Sequence, residues 1–227
     1  MKGSFNLTLT RLIKGKYSIN YYDKYSKLFN HAPFKEPLNE HFVSHNMFLF
    51  LRKGNEAVYQ TDTSIAFSEI PYLSPLNSVF NYYGKPYQFS IYKLNNHILS
   101  IAAYNNQINT EKSKTILYLF DNKLILGEYM FLDITEKKFK DIYLHYFFKK
   151  YIKEEIKVCE VIYIEDDHKN MICINWNGFD LSIKYMCSIA YNYLDDFKNY
   201  YNTSWKFKVE KDVDGINENH EIPSVFI

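Results

Sequence analysis

Hydrophobic and polar residues alternate along much of this chain, most sharply between Gln88 and Tyr185. Three tight-turn dipeptides punctuate that stretch: Asn95-Asn96, Asp121-Asn122 and Asn177-Gly178, each with strand-like segments on both sides. Asn, Asp and Gly tolerate the positive φ that a two-residue hairpin turn needs, so each pair predicts two antiparallel strands. Residues 89–94 are expected to return as 97–104, and 115–120 as 123–133, with a loop over 105–113. The second hairpin is nearly all apolar, which predicts cover on both faces. Gly127 interrupts it, and a glycine inside a strand marks a bulge or a close backbone approach. Glu128 beside it reads either as a buried, paired acid or as a solvent-facing edge residue.

The period then changes. Phe139, Ile142, Tyr143, Tyr146 and Phe147 recur at three- and four-residue spacing, predicting an amphipathic helix over 135–153. Thr135 or Asp133 can cap its start, Glu136 suits its positive end, and Lys149, Lys150 and Lys153 suit its negative end. Strand pattern resumes over 156–164, 171–176 and 179–184, the last alternating apolar-in and polar-out. Met186, Ile189, Ala190, Tyr193, Leu194, Phe197 and Tyr200 predict a second helix over 186–201. Four strands, helix, three strands, helix is an α+β order: an antiparallel β-meander sheet, or two, with both helices packed on one face.

The first part of the chain reads less clearly. Phe5, Leu7 and Leu9 alternate with Asn6, Thr8 and Thr10, which predicts a half-buried strand. Residues 17–22 read as a second strand or a short helix. Residues 46–52 read as a buried strand and 57–61 as its return. Pro71 and Pro75 mark a boundary or a long connection, and 81–86 a turn-rich stretch. The chain reads as one domain over 1–227; the alternative divides it into a β-rich part over 1–75 and a part over 86–205. Residues 208–220 read as a mobile tail.

Composition narrows the function classes. Hydrophobic residues make up 47% and charged residues 23%, enough for a real core. Lys and Arg number 27 against 26 Asp and Glu, so net charge gives no argument for nucleic acid or an anionic membrane. The 22 Tyr and 18 Phe spread along the whole chain together with abundant Lys, Asn and Ile, which points to A/T-rich codons before it points to an aromatic surface. Cys159, Cys173 and Cys187 are odd in number and lack metal-ligand spacing, as expected of reduced thiols in the cytoplasm. The opening residues lack the apolar stretch of a secretion signal, and no apolar run approaches membrane-spanning length.

Candidate chemistry is sparse. His41 and His45 would share one face of a helix, with His31 and Glu40 nearby, but Phe42 stands where a zinc hydrolase carries glutamate. Glu165, Asp166, Asp167 and His168 form the densest acidic run, read as a solvated hairpin loop and as the first place to look for contact with a basic protein. The lysines at 137, 138, 140, 149, 150 and 153 form the one basic element. There is no nucleophile elbow, no phosphate loop and no catalytic cysteine context. No cofactor is expected. These absences favour a non-enzymatic cytoplasmic protein that binds another protein, with a bacterial immunity protein that neutralises a toxin as the leading example. The alternatives are an enzyme whose site is assembled from scattered residues, and a nucleic-acid-binding regulator using the Lys-rich helix.

Overall fold

A computed structural model describes residues 2–14, 16–29, 58–94, 97–108, 110–142, 149–152, 161–176 and 178–193. Among these residues the centre is one mixed eight-stranded sheet. The described elements are α1 (Lys2–Lys14), α2 (Ile19–Phe29), β1 (Val58–Thr61), α3 (Leu76–Tyr83), β2 (Gln88–Leu94), β3 (His97–Ile108), β4 (Glu111–Phe120) and β5 (Lys123–Phe131). They continue with α4 (Glu136–Ile142), α5 (Lys149–Tyr151), β6 (Val161–Asp166), β7 (Met171–Trp176) and β8 (Leu181–Met186). The strand order is β1-β6-β7-β8-β5-β4-β3-β2. Every neighbouring pair is antiparallel except β1 with β6. The fold is therefore α+β with a largely antiparallel sheet.

The meander follows from its turns. Asp121 and Asn122 both take positive φ, 45° and 66°, which matches the right-handed twist of the strands they join. Gly178 takes φ 94° in the β7–β8 turn. Leu94 pairs with His97, the register that a two-residue connection imposes. The expected loop over 105–113 is instead strand on both sides of a tight turn at Thr110. Polar residues paired across the ribbon extend β3 and β4 beyond the core: Asn105 faces Lys114 and Asn106 faces Ser113. Asn106 Nδ2 also donates to Thr115 Oγ1 at 2.7 Å.

One lateral row crosses all eight strands on the first face: Tyr59, Ile164, Ile172, Tyr185, Gly127, Leu117, Ala102 and Phe89. The loop after β1 covers this face with Ile65, Phe67 and Ile70. Val79 of α3, Phe139 and Ile142 of α4, and Tyr151 and Ile152 join the same core. The next row lies on the second face, and Leu99, Ile101, Ile116, Tyr118, Met171, Met186 and Ala190 are buried there in a separate cluster. Because both faces are buried, the strands read as near-continuous apolar runs, as the second hairpin predicted. A bulge in β5 breaks the alternation. Tyr118 faces Leu126 while Leu119 faces Leu124, so Ile125 is the extra residue. Ile125 and Leu126 consequently fall on the same face.

Several expectations need correction. The strand expected over 5–10 is the middle of α1, where the Thr10 hydroxyl donates back to the Asn6 carbonyl at 2.8 Å, one helical turn away. Lys24 Nζ of α2 donates to Asn6 Oδ1 and Thr10 Oγ1, tying the two helices together. Residues 19–29 settle as helix, with Tyr21 N–H donating to the Ser18 hydroxyl at its start. The turn-rich reading of 81–86 missed α3, which Gly84 ends at φ 78°. β1 is a strand, but it pairs in parallel with β6. Met186 closes β8, and helical structure starts only at Ala190. Of the helix expected over 135–153, residues 136–142 and 149–151 are helical, and 143–148 lie outside the described residues. Residues 30–57 and 194–227 also lie outside them, and so do the strand expected over 46–52, the end of the second helix and the tail over 208–220.

Candidate binding surfaces

The acidic run does not form a solvated loop throughout. β6 continues through Glu165 and Asp166, which are 8% and 1% exposed. The Asp166 carboxylate organises the β6–β7 turn. Its Oδ1 accepts from the backbone N–H of His168 and of Asn170, at 2.9 and 2.8 Å. Its Oδ2 accepts from Ile65 N–H at 2.8 Å and from Asn170 Nδ2 at 3.0 Å. Four donors on one buried carboxylate fix the turn and pin the covering loop to the sheet. Glu165 accepts from Lys169 Nζ at 2.8 Å and from Gln60 Nε2 at 3.4 Å. Asp167 and His168 stand at the surface. The four predicted residues are thus brought together, two as structural acids and two as accessible side chains.

His31, Glu40, His41 and His45 lie outside the described residues. Among the described residues no group of His, Cys, Asp and Glu could hold a metal ion, and no helix is long and apolar enough to cross a membrane. Cys173 and Cys187 are both buried. On α4, Lys138 pairs with Glu111 at 2.9 Å and Lys140 with Glu136 at 2.6 Å. The basic element is partly neutralised by its own neighbours, which weakens its pull on phosphates.

Glu128 is wholly buried, and its partner is the residue opposite it on β8, Lys184. Lys184 Nζ lies 3.8 Å from Glu128 Oε1. Ser182 Oγ donates to the same oxygen at 2.7 Å, and Tyr118 OH to Oε2 at 3.4 Å. Burial, followed by the nearby Glu128 carboxylate, raises the Tyr118 phenol well above its ordinary value. Lys184 was expected to point to water, because β8 alternates; the burial of the second face overturns that inference.

Two surfaces had no clear sequence signal. At the end of the sheet formed by the β7–β8 turn, Phe179 and Leu132 are 73% and 64% exposed. Ile134 N–H donates to the Phe179 carbonyl at 2.6 Å, and Asp133 N–H to Asp180 Oδ1 at 3.3 Å. These bonds tie the β5–α4 turn to the β7–β8 turn and place two apolar side chains beside two exposed acids, Asp133 and Asp180. Each pair is an apolar residue followed by Asp at a strand end, a pattern visible in sequence only once the strand ends are known.

The other surface is a cleft of about 270 Å3 on the first face, lined by Ala66, Ser68, Ile108, Tyr129, Lys150, Tyr151 and Tyr185. Phe67 stacks on Tyr129 with centroids 4.7 Å apart and meets Tyr185 edge-on at 5.4 Å. Burial, then the neighbouring Tyr151, Tyr129 and Tyr72, push the Tyr185 phenol well up. Burial also raises Tyr129, against the lowering pull of bonds to Tyr83 and Ser68. Both phenols keep their protons at neutral pH and can donate. Lys150 Nζ sits 5.0 Å from the centroid of the Tyr151 ring. Tyr129, Tyr151 and Tyr185 come from three elements far apart in sequence, so no local motif announces them.

No protein-family model, curated protein or solved structure matches this chain.

Proposed function

We propose that the protein is a non-enzymatic binding protein that acts by forming a complex with another protein, in the manner of an immunity protein that neutralises a bacterial toxin. The observation that carries this reading is the exposure of Phe179 and Leu132 in two turns that the Ile134 N–H to Phe179 carbonyl bond ties together. Large apolar side chains held out from a rigid scaffold make the anchors of protein interfaces, and an aromatic one gives much contact area at low entropic cost. Asp133 and Asp180 beside them favour a partner whose surface is basic around an apolar pocket. Asp167 and His168 give a second, more polar contact at the β6–β7 turn.

The test is co-purification from the native host with wild-type chain and with Leu132→Asp/Phe179→Asp, followed by an inhibition assay on the protein recovered. A single toxic protein retained and blocked by wild type, and lost with the double variant, would support the reading. Retention equal for both chains, or a retained protein whose toxicity is unaffected, would refute it. Both positions are exposed, so the variant keeps its core. Asp167→Lys in parallel reports on the acidic turn.

A further inference from the structure

The tyrosine-lined cleft is separate from the apolar pair and has its own chemistry. Its walls are ring faces and edges from Tyr129, Tyr151 and Tyr185, closed by Ala66 and Ile108. The lining residues carry three kinds of polar group: the phenols, the Ser68 hydroxyl, which also lies 3.2 Å from Tyr82 OH, and the Lys150 ammonium, 5.0 Å from the Tyr151 ring centroid. Among the described residues no acidic side chain lines it. An aromatic cage without a carboxylate can still hold a cation, but a lysine at its rim opposes one. A purely apolar ligand would draw nothing from the phenols or the ammonium. A ligand with a planar ring and one negative group uses both parts of the lining: stacking and edge contacts for the ring, a charge-assisted bond for the anion. The volume is below the usual drug-sized range, which limits the ligand to about one ring.

We infer that this cleft binds a small aromatic carboxylic acid, with its ring among Tyr129, Tyr151 and Tyr185 and its carboxylate toward Lys150. The site is a binding site: among the described lining residues no nucleophile stands next to a base, and no reaction is assigned to it.

Titration calorimetry of the full chain with three probes tests the inference: 4-hydroxybenzoate, 4-hydroxybenzamide and acetate. The benzoate is expected to saturate at millimolar concentration or below, the amide to bind about tenfold more weakly, and acetate not to saturate. Lys150→Met should bring the acid down to the level of the amide and leave the amide unchanged. Ile108→Trp, which fills the cleft, should abolish binding of both. Lys150 is exposed, so its variant folds, and the circular dichroism spectrum verifies this. Absence of saturation by the benzoate, equal affinity for acid and amide, or an acid affinity unchanged by Lys150→Met would each overturn the inference.

Discussion

The ring of Phe67 lies on the bare α-carbon of Gly127, so close that a β-carbon there would stand 2.4 Å from two ring atoms. Gly127 is the dip in the first-face row, between Leu117 and Tyr185. Phe67 fills that dip and is wholly buried. The ring also stacks on Tyr129, so one missing side chain positions the covering loop and one wall of the cleft. Gly127→Ala should destabilise the chain by about 1–3 kcal/mol through overpacking. In a Phe67→Ala background the same change should cost much less, because the clash is gone. Urea unfolding of the four chains measures the coupling; a Gly127→Ala cost independent of residue 67 would contradict the packing described.

The Glu128–Lys184 pair predicts a different pattern. Removing one member leaves a buried charge without its counterpart, so Lys184→Met alone should cost about 3–5 kcal/mol. Glu128→Leu/Lys184→Met together should cost less than the single change, since both desolvation penalties vanish. Equilibrium unfolding of the single and double variants decides this. A double variant less stable than the single one would show that Ser182 and Tyr118 depend on Glu128 more than Glu128 depends on Lys184.

Acid sensitivity is expected from Asp121. Burial alone would raise its carboxyl, but the Ile98 N–H, His97 and Lys123 outweigh it and hold the group below its ordinary value. Ile98 N–H donates to Oδ1 at 3.0 Å, and His97 Nδ1 lies 2.7 Å from Oδ2. A carboxyl whose pKa is lower folded than unfolded adds stability above its unfolded value and loses it as pH falls through the folded one. The loss therefore sets in below about pH 4. Asp121→Asn should be less stable than wild type at neutral pH, and the gap should narrow at about pH 3. Thermal melts across that range check it; a gap that does not change with pH would remove the carboxylate from the account.

The back half of the sheet was legible because its turns are local. Asp121-Asn122 and Gly178 adopt the conformations that their residue types favour, and the strands beside them had little choice of register. Gly127 announced a close approach without saying what approaches: Phe67 is sixty positions away, in a loop with no regular pattern. Glu128 and Lys184 became a pair only when β5 and β8 proved adjacent. At the start of the chain six alternating residues suggested a strand, but residues 2–14 are helix, tied to α2 by polar bonds from Lys24 to Asn6 and Thr10. The acidic run misled by composition. Asp166 reads as a surface charge until four donors are found converging on it. The cleft was invisible for the same reason, since its tyrosines meet only when the sheet is complete.

Parallel pairing of β1 with β6 has a consequence for how the molecule is made. Gln60 and Glu165, neighbours across that ladder, are separated by 105 positions. Among the described residues β1 finds its ladder partner only once β6 has been made, while the β2–β5 ribbon can zip locally before that. The ladder between Val58–Thr61 and Val161–Asp166 therefore closes late, and a chain stalled before residue 161 would lack it.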